Sequence, residues 1–169
     1  KFSFQYGILE VRARIDTTLG SWPAIWTLGN ERPWPDKGEI DLMEFYLKDG
    51  LPSILANAAW VAPQGRQPVW DGYHTPVSRF IERQPDWPER YHVWRMEWEP
   101  EEIRLYLDDE LLNTIEVERA TYADGFNPFR QPHYLLLNLA IGSNGGNPEA
   151  SEFPIRYEVD YVRVYQKKP

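Results

Sequence analysis

The residues best suited to chemistry lie in one short run, Glu39-Ile40-Asp41-Leu42-Met43-Glu44, where three acids are interspersed with apolar side chains. On a strand Glu39 and Asp41 share a face. Glu44, five positions beyond Glu39, would point the other way unless the strand carries an extra residue. A one-residue bulge near Leu42-Met43 returns it to the same face, and the spacing predicts one there. With that bulge the backbones of Glu39 and Glu44 stand about 13 Å apart at ~3.3 Å per residue. Two glutamate side chains leaning together over a curved sheet can then approach the ~5–5.5 Å used for glycosidic cleavage with retention, rather than the ~6.5–9.5 Å of inversion. Three acids on one face cannot all ionise cheaply, so their proton affinities split. One can be the ionised nucleophile, one the protonated acid, and Asp41 between them can tune both. The same three acids would also suit a solvated strand face. Three carboxylates can hold calcium as well, but here they alternate along a strand instead of lying in a loop with Asn and Gly.

The elements around this run have a period of two. Leu9, Val11, Ala13 and Ile15 alternate with Glu10, Arg12 and Arg14, predicting a half-buried strand over 8–15. His92, Trp94, Met96 and Trp98 repeat the pattern over 91–98. Strands at 103–107 and 111–117 flank Asp108-Asp109-Glu110, a tight hairpin. The nearly continuous apolar run Tyr134 to Ile141 predicts a central strand covered on both faces, and 156–166 reads as a final strand. Segments rich in Pro, Gly and Asn at 31–38, 62–72, 84–90, 124–132 and 142–154 read as loops. Helical signal is confined to a short piece at 116–122. Many short strands separated by turn signals predict an all-β antiparallel sandwich, and no linker divides residues 1–169, so one domain is expected.

Composition narrows the partners. The 169 residues carry a formal net charge of -8, which disfavours nucleic acid and anionic membrane. No run approaches the length of a membrane span, so no membrane insertion is expected. The absence of cysteine excludes disulfides and thiol chemistry and argues against structural zinc. The chain has 8 Trp, 10 Tyr and 7 Phe, a surplus that fits either sheet packing or flat platforms for sugar rings.

These residues together resemble glycoside hydrolase family 16, which includes laminarinases and lichenases. The run Glu39-x-Asp41-x-x-Glu44 is similar to that family's active-site signature in its bulged form. Further likeness comes from Tyr6-Gly7 with Glu10 to Arg14, from Ser21-Trp22-Pro23-Ala24-Ile25-Trp26, and from Trp34-Pro35. It continues in Tyr91 to Trp98, in Gln131-Pro132, in Leu137 to Gly142 and in Val159 to Tyr165. The resemblance implies a β-jelly roll of two curved antiparallel sheets with a concave substrate cleft. It implies Glu39 as nucleophile, Glu44 as acid/base and Asp41 as the assisting carboxylate. Trp22, Trp34 and Trp60 become sugar-stacking candidates, and Arg32, Asn57, His133 and Asn138 polar-contact candidates, while Trp26 and Trp94 are assigned to packing. No cofactor is required, although a structural calcium near Asp160 is a family feature. The implied activity is endo-hydrolysis of a β-1,3- or β-1,3-1,4-glucan by a secreted or periplasmic enzyme. Hydrolysis of a β-galactan and non-catalytic carbohydrate binding are the alternatives. Ala59 occupies the place where laminarinases usually carry His. The chain also opens where the family is already under way, so an N-terminally short domain is expected, with a bare sheet edge through which a second copy can pair.

Overall fold

The computed structural model describes residues 2–62 and 67–168. Among the described residues ten strands form two five-stranded antiparallel sheets. The first sheet has the order β10-β1-β6-β7-β8, from β1 (Gly7–Ile15), β6 (His92–Trp98), β7 (Glu102–Leu107), β8 (Glu110–Glu116) and β10 (Tyr157–Tyr165). The second has the order β5-β4-β3-β2-β9, from β2 (Ser21–Gly29), β3 (Glu39–Lys48), β4 (Leu51–Val61), β5 (Pro68–Pro76) and β9 (His133–Ile141). This is the expected all-β jelly-roll sandwich.

Alternation explains the packing. Leu9, Val11, Ala13 and Ile15 of β1 are buried together with His92, Trp94, Met96 and Trp98 of β6. They meet Ile25, Ile40, Leu42, Met43, Ile54, Ala56 and Ala58 from the second sheet in one continuous core. Trp94 is fully buried there, as assigned. The β7–β8 hairpin closes through Asp108 and Asp109, both with positive φ (47° and 68°), the backbone that matches the strand twist in a two-residue turn.

Three sequence expectations change. The run 134–141 is not central. Strand β9 pairs only with β2 and otherwise meets Phe4 through an isolated bridge to His133; Leu137 and Ile141 are 39% and 44% exposed. A continuous apolar run reports that both faces favour cover, not which neighbour supplies it. The loop expected over 62–72 contains the first half of β5, whose two prolines and Gly72 hide an edge strand; residues 63–66 of that stretch lie outside the described residues. The helical piece at 116–122 is a 3-10 turn over Val117–Ala120, and the one α-helix among the described residues, α1 (Ser78–Arg83), was not foreseen.

Candidate active site

The bulge is where the carboxylate spacing requires it. Against β2, Asp41 pairs with Trp26, Met43 with Ile25 and Glu44 with Ala24, so Leu42 has no partner of its own. Against β4, Asp41 pairs with Asn57 and Glu44 with Leu55, leaving Ala56 opposite two residues. Leu42 and Met43 both enter the core at 0% exposure. The extra residue therefore restores Glu44 to the face of Glu39 and Asp41, and all three line one depression of about 240 Å³ with Trp22, Ala24, Trp26, Asn138 and Ala140. Gly38, immediately before Glu39, has φ +72°, and a Cβ there would lie 2.7 Å from Pro128 Cβ. This position requires glycine on both counts, and it sets the chain's entry into β3.

Each acid has a distinct set of partners. Trp34 Nε1 donates to Glu39 Oε2 at 2.7 Å. Trp22 Nε1 donates to Glu44 Oε1 at 3.0 Å, and Asn57 Nδ2 to Glu44 Oε2 at 3.4 Å. Trp26 Nε1 donates to Asn138 Oδ1 at 2.7 Å, fixing the opposite wall. Asp41 is 1% exposed, and its Oδ2 is buried without a hydrogen-bond partner.

Burial is the main force on all three proton affinities, and no cation among the described residues offsets it. Burial raises Asp41 well above the usual carboxylate range, with repulsion from Glu44 and Glu39 adding to it. A protonated Asp41 can donate to Glu39, a contact that favours the Glu39 anion. Glu39 is raised by burial, with the Trp34 and Asp41 hydrogen bonds pulling the other way. Glu44 is pushed up to about 7, by burial first and by the Glu39 charge, against the Trp22 and Asn57 hydrogen bonds. The group thus separates into an anion stabilised by two donors and a carboxyl that holds its proton near neutrality.

Of the residues expected at the site, Glu39, Asp41, Glu44, Trp22, Trp34, Asn57 and Asn138 come together. Trp60 does not: it is 3% exposed, faces the core and packs edge-on against Phe129. Asn57 and Ala59 take the cleft face of β4, so Trp60, next along the strand from Ala59, must point inward. His133 is fully buried, holding Pro128 O and Thr27 Oγ1, and burial lowers its pKa to about 4. Arg32 is tied to Asp124 at 2.8 Å and lies 3.8 Å over the Phe126 ring, outside the lining of the depression. Trp26, assigned to packing, is instead a wall of the cleft. The period of two already places it on the face of Trp22, the signal that could have found it. Asp160 pairs with Arg12 at 2.5 Å, and no group of three or more His, Cys, Asp or Glu converges among the described residues. A guanidinium in that position repels a cation, so these residues do not fit a calcium ion.

The family model for glycosyl hydrolases family 16 matches residues 1–163. The chain belongs to this family. It is 38% identical to a β-glucanase of Rhodothermus marinus, over 98% of the chain and 59% of that protein. Among solved structures it matches the laminarinase catalytic domain of Thermotoga maritima with a TM-score of 0.79 at 34% identity, covering 100% of this chain and 67% of that one. It also matches an endo-acting O-glycanase that initiates mucin breakdown, from human gut microbiota, with a TM-score of 0.86 at 34% identity, covering 99% and 59%. The chain thus spans about three-fifths of the length of the β-glucanase relative.

Proposed function

We propose that the protein is a retaining endo-glycosidase acting on a β-1,3- or β-1,3-1,4-linked glucan. The observation that carries this reading is the bulge that turns Glu39, Asp41 and Glu44 onto one face, with proton affinities divided among them. Glu44 donates its proton to the leaving glycosidic oxygen while Glu39 Oε attacks the anomeric carbon, breaking the C–O bond and forming a glycosyl-enzyme. Asp41 and Trp34 hold Glu39 through hydrogen bonds, aiming its carboxylate. The deprotonated Glu44 then takes a proton from water, whose oxygen displaces Glu39 and restores the starting configuration. The Rhodothermus β-glucanase and the Thermotoga laminarinase support glucan as the substrate. A polymeric substrate fits a secreted or periplasmic enzyme, and no helix among the described residues is long and apolar enough to cross a membrane. The outer edges of β9 and β10 are where a second copy would pair.

A second reading, hydrolysis of a different β-linked glycan such as a β-galactan, is favoured by Ala59. It pairs with Glu39 across β3 and β4, at the place where laminarinases usually carry His. Reducing-end release from laminarin, mixed-linkage glucan, agarose and a β-1,3-galactan separates the two readings. Activity on a glucan is expected, with Glu39→Gln lowering it on the order of a thousandfold or more. Activity confined to a galactan would transfer the assignment, and a Glu39→Gln variant with most of its activity would remove Glu39 as the nucleophile.

A further inference from the structure

The cleft does not stop at the acids. On the same face of the sheet, at the β5 end, a second depression of about 410 Å³ opens among Tyr46, Lys48, Asn57, Trp70, Gly72 and His74. Register makes it continuous with the first. Asp41 pairs with Asn57 and Asn57 with Gly72; Glu44 pairs with Leu55 and Leu55 with His74; Glu39 pairs with Ala59 and Ala59 with Trp70. Asn57 also donates to Glu44, and Tyr46 packs edge-on against Trp22 at 5.8 Å, so both depressions share a wall. With two strand spacings between β3 and β5, the new depression lies about 10 Å from the acids. It exists because β5 has glycine at 72: a Cβ there would meet Asn57 Oδ1 at 2.9 Å.

Its chemistry differs from that of the catalytic pocket. Trp70 is 49% exposed and makes no ring contact among the described residues. The Lys48 side chain has no ion pair or hydrogen bond among the described residues, whereas Arg12, Arg14, Arg79, Arg95, Arg104 and Arg119 are all paired with acids. The His74 side chain likewise has no hydrogen-bond partner among them, and no carboxylate lines the depression. In a chain of net charge -8, an unneutralised ammonium and a bare indole lining one concave site are an unusual combination. It supplies an apolar platform for a ring face and donors for a negative group.

We propose that this depression is a sugar subsite that stacks a pyranose on Trp70 and holds an anionic substituent of the glycan, a sulfate ester or a carboxylate, with Lys48 and His74. The inference rests on the glycosidase reading of the neighbouring acids. It makes the enzyme one that accepts charged as well as neutral chains, with the charge read at the β5 end of the cleft.

One β-1,3-glucan in three forms (unmodified, partially sulfated and carboxymethylated) tests it with the full chain, Lys48→Met and Trp70→Ala. The Lys48→Met variant is expected to lower the charged-to-neutral ratio of kcat/KM about tenfold, the effect of one charge-assisted hydrogen bond. Trp70→Ala is expected to weaken retention of all three polymers in affinity electrophoresis. A fall confined to the sulfated form identifies a sulfate ester, and a fall on both charged forms identifies a general anionic subsite. An unchanged ratio in Lys48→Met overturns the proposal. If wild-type protein cleaves none of the three, the glucanase reading fails by itself, and retention then decides the subsite. Charged polymer held by wild type and released by Lys48→Met upholds it; equal retention by both overturns it.

Discussion

Both sheets have five antiparallel strands and both carry charge on the face turned away from the core, yet they handle that charge in opposite ways. On the β10-β1-β6-β7-β8 sheet most charges meet an opposite: Arg12 with Asp160, Arg14 with Glu158, Arg95 with Glu97 and Asp109, and Arg104 with Glu97 and Glu102. On the β5-β4-β3-β2-β9 sheet three acids crowd one depression whose lining contains no basic residue. Beyond the Asp41–Glu39 contact within the cluster, their hydrogen-bond donors are two Trp indoles and one Asn amide. The first arrangement neutralises its charges in pairs, while the second leaves them frustrated, which is how a site acquires a carboxyl that titrates near neutrality.

Breaking the frustrated face has the largest expected effect. Glu44→Gln removes the proton donor and should lower kcat on laminarin or its functional equivalent by about 10²–10⁴-fold; a loss below tenfold would reassign the acid. The same change should raise stability at high pH. Glu44 holds its proton to about 7 when folded, against 4.5 for the free side chain. The folded state therefore binds more protons between those values, and wild-type stability falls as pH rises through that window and then levels. Glu44→Gln removes this loss, so its Tm should exceed wild type at pH 8 and approach it at pH 5, with about 2–4 °C for each kcal/mol relieved. Equal Tm differences at both pH values would contradict the burial argument.

A core Trp and a cleft Trp offer a sharper contrast. Trp60→Ala empties a core position and should cost about 3–5 kcal/mol of stability in denaturant unfolding. Trp34→Phe, on the exposed cleft side, should leave stability nearly unchanged, yet lower kcat by removing the N–H that holds Glu39. If Trp60→Ala melted like wild type, Trp60 would not be a core residue.

The pH–rate profile probes the cluster as a unit. Activity should decline above about 7 as Glu44 loses its proton. Glu44→Asp, which keeps a carboxyl but shortens its reach, should shift or flatten that limb. An unshifted alkaline limb in an active Glu44→Asp enzyme would assign the limb to another group.

The smallest effect is expected on the paired face. Asp160→Asn breaks an exposed ion pair with Arg12 and should change stability by no more than about 1 kcal/mol. The melting temperature should be the same with and without a calcium chelator, and a chelator-sensitive Tm would point to a cation site that Asp160 and Arg12 do not form.

Much of this contrast is local and legible in the chain. Alternation in 8–15 and 91–98 named the buried faces of β1 and β6, because the side-chain period of a strand is fixed by covalent geometry. The spacing of Glu39, Asp41 and Glu44 required a bulge before any partner strand was known. Other features depend on neighbours that no local pattern specifies. The apolar run of β9 looks central, but its position at an edge is decided by which strands pair with it. Trp60 turns inward because the register of β4 on β3 gives the cleft face to Asn57 and Ala59, whereas Trp26 shares the face of Trp22 by the period of β2 alone. His133 and Arg32 carry functional groups that suit a site, yet one is buried against Pro128 O and the other is tied to Asp124. The sequence by itself determined which faces are apolar and where the strand must bulge to align its acids, since both follow from residue order along one chain. Only the tertiary structure decided which side chains share a wall with those acids, because strand order and cross-strand register bring together residues far apart in the chain.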